Sequence, residues 1–134
     1  MPQVKFMFPV LFLGALVFFA ACTADNKKAD SAQAVETYLR SMVDRDFNRS
    51  IAASCADWEA QAKVEFDSFA AVKLSLNELE CREVGREDPF TLISCTGSII
   101  ANYGAEDLEI DVAERTYLVI DEGGEWRMCG YAKE

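Results

Sequence analysis

The spacing of apolar residues changes once along this chain, from a helical period to a strand period, and this change most limits the folds available to it. Up to about residue 70, apolar side chains recur every three or four residues, as on one face of an α-helix. From Leu74 onward, β-branched residues become more frequent and Gly or Pro residues punctuate the chain. Helices followed by strands predict an α+β domain, with N-terminal helices packed on a curved four-stranded antiparallel meander sheet.

Two helical segments are predicted before the sheet. The first begins at Asp30 or Ser31, either of which can cap a helix, and ends near Asp46. After a break at residues 48–50, the second extends to about Phe69, and a kink near Asp57 is compatible with its pattern. The apolar positions are Val35, Tyr38, Leu39, Met42 and Val43 in the first segment, and Ile51, Cys55, Trp58, Ala62, Phe66 and Phe69 in the second.

Four strands joined by short hairpin connections are predicted in the second half. The strands are residues 76–84, 90–102, 108–121 and 125–131, and the connections are residues 85–89, 103–105 and 123–124. The last connection, Gly123-Gly124, suits a two-residue turn in which both residues have positive φ. Alternation fails at Ala113-Glu114, which predicts a bulge that bends the long third strand around the helices.

The N-terminus has the layout of an export signal. Residues 6–21 are uncharged and apolar, follow Lys5, and end in two small residues before a polar stretch. As a helix, this run would reach roughly 24 Å, short of the ~30 Å hydrocarbon core of a bilayer. A permanent transmembrane anchor is therefore the weaker interpretation.

The segment Phe19-Ala20-Ala21-Cys22 resembles the lipobox of bacterial lipoproteins, although Phe19 replaces the usual Leu, Val or Ile. The resemblance implies a signal peptide at 1–21, lipid on Cys22, a polar tether at 22–30 and a domain at 31–134 held at the membrane outside the cytoplasm. The five cysteines support it independently, because lipidation of one leaves an even four. The alternative is cleavage just after Cys22 or Ala24 and release of a soluble protein.

The other four cysteines, Cys55, Cys81, Cys95 and Cys129, predict two structural disulfide bonds in an exported chain. Zinc is the weaker interpretation, because no spacing is C-x-x-C and an oxidising compartment disfavours thiolate metal sites. Of three possible connectivities, hairpin symmetry about Asp88 favours Cys81 with Cys95. Cys55 with Cys129 then joins the helical layer to the last strand.

Composition disfavours several chemistries. The chain has no histidine, which excludes Ser-His-Asp and Cys-His triads within it and removes the commonest metal ligand. No Gly-rich phosphate loop precedes a helix, so no nucleotide, metal or other cofactor is predicted. The formal net charge is −10, and loss of residues 1–21 would remove only Lys5 among the charged residues. Nucleic acid is therefore not an expected partner.

The third predicted strand carries a row of carboxylates, Asp107, Glu109 and Asp111, which alternate with apolar residues. Calcium binding is one interpretation of this row. Calcium sites usually take their oxygen ligands from loops that converge from several directions. We therefore favour a solvated outer face of the sheet, with no metal site.

The order of elements resembles the nuclear transport factor 2-like (cystatin-like) domains of bacterial envelope lipoproteins. The residues that carry the resemblance are Tyr38-Leu39 on the first helix, Cys95-Thr96-Gly97 on a central strand and residues 122–129 around the last hairpin. It covers about residues 31–131 and implies the fold rather than a function. In the enzymes that this fold resembles, an Asp or His in the cavity works with a Tyr on small apolar substrates.

Such domains can hold ligands in a cone-shaped cavity, for which the aromatic candidates are Tyr38, Trp58 and Trp126, with Tyr103, Tyr117 and Tyr131. Packing in the core is the simpler interpretation of these residues. We predict a non-enzymatic binding or interaction module, tethered through lipid on Cys22, whose partner is an unidentified envelope protein or small molecule. The alternative is a cavity protein that binds a small molecule or acts as a lyase or isomerase through a Tyr/Asp pair, with Asp44 and Asp46 as candidates.

Overall fold

Three helices precede the sheet in the computed structural model, which describes residues 29–134. They are α1 (Asp30–Val43), α2 (Phe47–Ala52) and α3 (Glu59–Ser68), with a 3₁₀ turn, Ala56–Trp58, directly before α3. The second predicted helical segment is thus divided in two, and the division includes Asp57. The predicted break at residues 48–50 is wrong, because these residues lie within α2.

Five strands form one antiparallel sheet. They are β1 (Lys73–Glu87), β2 (Phe90–Asn102), β3 (Asp107–Asp111), β4 (Thr116–Glu122) and β5 (Glu125–Tyr131). The order in the sheet is β1-β2-β4-β5, and β3 also pairs with β2. The α+β architecture predicted from the sequence, with N-terminal helices on a curved antiparallel sheet, is confirmed.

The third predicted strand consists of two strands, β3 and β4, joined by a second 3₁₀ turn at Val112–Glu114. This turn takes the place of the expected bulge at the same position. Both strands pair with β2: the pairs closest to the turn are Ser98 with Asp111 and Ser94 with Thr116. Pairing along this side of β2 is therefore interrupted where the turn leaves the sheet.

Helix α1 begins without the predicted cap. Its N-cap position is Ala29, and no side chain among residues 29–134 caps it. Ser31 Oγ instead donates a hydrogen bond to Glu83 Oε2 on β1 at 2.9 Å. The helix ends at Val43, and Asp46, the predicted end, caps α2 by accepting a hydrogen bond from the Arg49 N–H.

The β1–β2 hairpin brings Cys81 opposite Cys95, and the two form a disulfide bond with Cα atoms 4.0 Å apart. Its turn is shorter than the predicted connection at 85–89, because Glu87 already pairs with Phe90. A one-residue irregularity between Glu83 and Gly85 restores the symmetry about Asp88 on which the prediction rested.

Cys55 and Cys129 form the second disulfide bond, which is also the pair expected from the sequence. The chain before it adds to the edge of β5: the Cys55 N–H donates to the Met128 carbonyl and the Met128 N–H donates to the Ala53 carbonyl, each at 2.8 Å. The disulfide bond therefore holds the segment between α2 and the first 3₁₀ turn against an edge strand that would otherwise be open.

The core lies between the helices and one face of the sheet. Fully or nearly fully buried side chains are supplied by α1 (Val35, Tyr38, Leu39, Met42), α3 (Ala62, Phe66) and the sheet (Ile93, Val119, Met128). Burial of each large apolar side chain contributes about 1.5–3 kcal/mol to folding. The helices are thereby fixed on the sheet, and the space left between them is defined by rigid walls.

No helix within residues 29–134 is long and apolar enough to cross a membrane. The predicted signal peptide, the Cys22 lipidation site and residues 22–28 of the tether lie outside the described residues. Asp30, the last residue of the predicted tether, is the first residue of α1.

Candidate functional site

A cavity of about 300 Å³ lies between the helices and the sheet, on the side where the Val112–Glu114 turn leaves the strands. Its apolar wall comes from α1, β2, β3 and the end of α3 (Leu39, Met42, Ile99, Ile110 and Phe69). The turn is held by two hydrogen bonds: the Ala113 N–H donates to Asp111 Oδ1 at 2.8 Å, and Tyr117 Oη donates to the Val112 carbonyl at 3.1 Å. These two hydrogen bonds thus hold the Val112–Glu114 turn in place where the sheet is interrupted.

One carboxylate joins two tyrosines in the wall of this cavity. Tyr38 Oη on α1 donates a hydrogen bond of 2.6 Å to Glu65 Oε2 on α3. Tyr131 Oη on β5 donates to both oxygens of Glu65, at 2.9 and 3.0 Å. We call these three side chains the Glu65 cluster. It links the two main helices to the last strand through side-chain polar groups alone.

Trp58 supports the cluster from the first 3₁₀ turn. Its Nε1–H donates to Tyr38 Oη at 3.3 Å, and its ring packs edge-on against Tyr131 with centroids 5.4 Å apart. Tyr117 packs against the same tyrosine with centroids 5.5 Å apart. The rotamers of the cluster are therefore fixed by aromatic packing as well as by hydrogen bonds.

Glu65 lies in the cavity wall because of its position on α3. Ala62 is three residues before it and Phe69 is four residues after it, so all three share the helix face that meets the core. A carboxylate on such a face requires hydrogen-bond donors, since loss of water would otherwise cost free energy. The two phenols supply those donors.

Tyr131 reaches the cavity because of an irregularity in β5. The register in which Val119 faces Met128 changes by one residue before Tyr117 faces Tyr131. Met128 and Tyr131 are therefore both directed to the helical side, although residues three apart in a regular strand lie on opposite faces. Gly130, at φ 115°, lies within this irregularity.

The phenols of the cavity have raised pKa values. Burial raises the pKa of Tyr38 far above its usual value, and the hydrogen bond to Glu65 and the negative charge of Glu65 raise it further. The pKa of Tyr131 is raised by burial and by the same carboxylate. Burial raises the pKa of Tyr117 to about 12. All three hydroxyls thus keep their protons near neutral pH and act as donors.

Three charged side chains stand at the mouth of the cavity. Asp111, Glu114 and Arg115 are exposed and line its outer part. The guanidinium carbon of Arg115 lies 4.5 Å from the centroid of the Tyr131 ring, a cation–π contact. The mouth therefore carries two carboxylates and one cation that already rests on an aromatic face.

The residues predicted to line a cavity are placed differently from one another. Tyr38 lines it, and Trp58 contacts the cluster as its support. Trp126 does not line this cavity but two other pockets, one beside α1 and one beside the β1–β2 turn. Tyr103 is 57% exposed on a loop outside the cavity.

The Tyr/Asp pair considered for catalysis does not form from the candidates named. Asp44 is exposed and pairs with Arg49, whose Nη1 lies 3.2 Å from Asp44 Oδ2. Asp46 is exposed at the start of α2. The carboxylate beside the tyrosines is Glu65, which sequence reasoning missed. Its signal was available: a lone acidic residue in the apolar row that includes Ala62 and Phe69.

The carboxylate row on β3 is solvated, as its alternation predicted. Asp107, Glu109 and Asp111 are all exposed, and Asp107 Oδ1 accepts a hydrogen bond from Asn102 Nδ2 at 2.6 Å. Leu108, assigned to the apolar face, is nevertheless 51% exposed. Among residues 29–134, no group of three or more Cys, Asp or Glu side chains is arranged to hold a metal ion. That the protein needs no metal stays a prediction.

Comparisons with known proteins assign this chain to no family. No family model matches the sequence, and no curated protein matches it. Among solved structures, the chain is similar to the helical cell shape determining protein Pgp2 from Campylobacter jejuni, with 10% sequence identity and a TM-score of 0.49. The match covers 74% of this chain and 38% of Pgp2, so the chain spans well under half the length of that protein.

Proposed function

We propose that the domain is a small-molecule-binding module whose ligand occupies the cavity beside Glu65. The observation that carries this proposal is the Glu65 cluster facing about 300 Å³ of space. Ligand sites typically combine an apolar wall with a few polar groups held in fixed positions, in cavities of roughly 300–1,000 Å³. An interior filled by side chains would have favoured the alternative of an interaction module that binds another envelope protein through its surface.

The proposed activity is binding without catalysis. A phenol of ordinary pKa already keeps its proton near neutral pH, and the raised pKa values of Tyr38 and Tyr131 make loss of theirs harder still, so neither is suited to act as a general base. Glu65 already accepts hydrogen bonds from both. To act as the base in a lyase or isomerase reaction, Glu65 would have to give up a hydrogen bond from one phenol and accept a proton from the substrate instead.

We also propose that the module stands on the outer side of the cell envelope, held by lipid on Cys22, and that it is a nuclear transport factor 2-like domain. The lipobox-like segment supports the anchor. Two disulfide bonds within one small domain are typical of oxidising compartments. Helices packed on a curved sheet around a cavity support the family.

Fluorescence of Trp58 can test the binding function. The chain has two tryptophans, so Trp126→Phe in the full-length protein leaves Trp58, which contacts both tyrosines of the Glu65 cluster, as the only one. We expect at least one member of a panel of small, mainly apolar compounds to change this fluorescence saturably. Such a change reports binding close to the Glu65 cluster.

A matched pair of variants on β3 locates the binding. Ile110 lines the cavity, whereas Leu108 on the same strand is exposed outside it. Ile110→Phe should narrow the cavity and weaken binding about tenfold or more, and Leu108→Phe should leave it unchanged. Absence of any saturable change across the panel, or equal effects of the two variants, would contradict the proposed function.

A further inference from the structure

We propose that the cavity selects a small amine: a ligand with an apolar body and a protonated primary or secondary amino group that binds Glu65. This inference rests on the proposed function and names the ligand class for the same site. Three independent features support it: the balance of donors and acceptors, the charges that line the cavity, and the aromatic rings beside the carboxylate.

The side-chain hydroxyl protons at this end of the cavity are already used. Tyr38 and Tyr131 each donate their single hydroxyl proton to Glu65, and Ser68 Oγ donates to the Glu65 carbonyl at 2.6 Å. What these groups still present to a ligand is acceptor capacity, because a carboxylate accepts about four hydrogen bonds and a phenol oxygen also accepts them, although Tyr38 Oη already accepts one from Trp58. A ligand that fits this arrangement must therefore donate hydrogen bonds.

The charges that line the cavity favour a cation. Among residues 29–134, those that line it include three carboxylates, on Glu65, Asp111 and Glu114, and one guanidinium, on Arg115. The whole chain adds to this field with a net charge of −10. An anionic ligand would be repelled, whereas an ammonium group would be drawn to the innermost carboxylate.

The aromatic surroundings suit an ammonium group with an apolar substituent. Tyr131 packs edge-on against Tyr117, and Arg115 shows that a face of the Tyr131 ring accepts a cation, with its guanidinium carbon 4.5 Å from the ring centroid. Aromatic faces attract ammonium groups electrostatically, and more strongly where water is excluded. The apolar wall opposite, which includes Met42 and Ile99, can hold the hydrocarbon part.

Three ligands with the same body separate the classes: benzylamine, benzyl alcohol and benzoate. Each is titrated into the full-length Trp126→Phe protein while Trp58 fluorescence is recorded. We expect benzylamine to bind about tenfold or more tightly than benzyl alcohol, and benzoate to bind least. Added salt should weaken benzylamine binding and leave benzyl alcohol binding unchanged, because only the former is electrostatic.

Variants at two carboxylates of α3 assign the selectivity to one residue. Glu65→Gln keeps the shape of the side chain and should reduce the preference for benzylamine over benzyl alcohol to about threefold or less. Glu59→Gln removes the same charge at the exposed start of the helix and should leave the preference intact. If Glu65→Gln fails to fold, the salt series on the protein with Glu65 present still tests the inference, because benzylamine binding that does not weaken with added salt would overturn it.

The outcomes distinguish the ligand class from the binding function. Benzyl alcohol or benzoate binding as tightly as benzylamine would overturn the inference, and the cavity would still be shown to bind small molecules. If Glu59→Gln loses the preference for benzylamine as Glu65→Gln does, the inference is overturned, because the selectivity then depends on the overall charge and not on Glu65. Failure of all three ligands together with the wider panel would overturn the proposed function itself.

Discussion

Gly130 lies so close to the indole ring of Trp58 that a Cβ atom at this position would be in tight contact with it. A Cβ atom added at Gly130 would lie 3.1 Å from Trp58 Cζ3 and 3.2 Å from its Cε3. The residue also has φ 115°, a backbone angle that residues other than glycine rarely adopt. Gly130 therefore lies both within the irregularity that directs Tyr131 into the cavity and against the indole ring that donates a hydrogen bond to Tyr38.

The first prediction follows from this contact. Gly130→Ala should lower the free energy of unfolding by about 2–4 kcal/mol, because it combines backbone strain with an over-tight contact against Trp58. Gly104→Ala is the matched control, since Gly104 has φ 95° but no atom within 4 Å of an added Cβ. Denaturant unfolding measures both. Equal losses of stability would show that the backbone angle alone accounts for the effect and that the contact with Trp58 is unimportant.

The second prediction concerns the shared carboxylate of the Glu65 cluster. Tyr38→Phe and Tyr131→Phe each remove one donor to Glu65, and we expect each to cost about 1–2 kcal/mol of stability. Because both phenols bind one carboxylate, the double variant should deviate from the sum of the single variants by about 0.5 kcal/mol or more. Tyr103→Phe, at an exposed site, should add to Tyr38→Phe without deviation. Additivity of Tyr38→Phe and Tyr131→Phe would argue against coupling through Glu65.

Local patterns in the sequence were sufficient for much of the fold. Equal distances from Asp88 paired Cys81 with Cys95, and this pairing forms because the irregularity between Glu83 and Gly85 offsets a turn centred between Asp88 and Pro89. The Gly123-Gly124 pair likewise predicted a two-residue turn, and Glu122 pairs with Glu125 across it. The helical and strand spacings of apolar residues are also local, and the first half of the domain forms helices and the second half forms strands, as these spacings predict.

The cavity could not be predicted because it depends on contacts between distant segments. A break in alternation at Ala113 is compatible with a bulge or with a turn, and only packing against the helices decides which one forms. Glu65 meets Tyr131, which lies 66 residues away, and Ser31 finds Glu83 52 residues away rather than capping its own helix. A lone acidic residue in an apolar row of a helix indicates that it has hydrogen-bond donors in the fold, but it does not indicate which residues they are.

The third prediction compares the two disulfide bonds. Replacement of Cys55 and Cys129 by Ala should cost more stability than replacement of Cys81 and Cys95, because the bonds join residues 74 and 14 positions apart in sequence. The chain-entropy description gives roughly 4–5 kcal/mol for the longer loop and about 3 kcal/mol for the shorter one. Thermal unfolding of the two double variants measures the difference. The reverse order would show that native packing around Cys81 outweighs loop length.

The fourth prediction tests the anchor. Intact-mass analysis of the membrane fraction should find a chain that begins at Cys22 and carries added acyl mass, because two or more acyl chains give lasting membrane attachment. Cys22→Ser should release or mislocalise the protein. An unmodified chain that begins at Thr23 or Asp25 would instead show ordinary secretion. Either result leaves the proposed cavity function open to its own test.

The last prediction uses the raised pKa values of the buried tyrosines. In the unfolded chain tyrosines ionise near pH 10, whereas the pKa of Tyr117 in the folded protein is about 12 and those of Tyr38 and Tyr131 are also raised. The unfolded state therefore loses protons first as the pH rises, and its ionisation favours unfolding. The stabilisation is fully present below about pH 10 and is lost as the pH increases through the folded pKa values.

Each tyrosine that ionises only on unfolding should lower the free energy of unfolding by about 1.4 kcal/mol per pH unit above pH 10. Denaturant unfolding at about pH 9, 10 and 11 measures this slope, at low thiol concentration so that the disulfide bonds stay intact. Tyr117→Phe should remove one tyrosine's share of the slope. An unchanged slope in that variant, or stability that does not fall above pH 10, would show that Tyr117 is not held protonated by burial. The result bears directly on the cavity, because Tyr117 forms part of its wall.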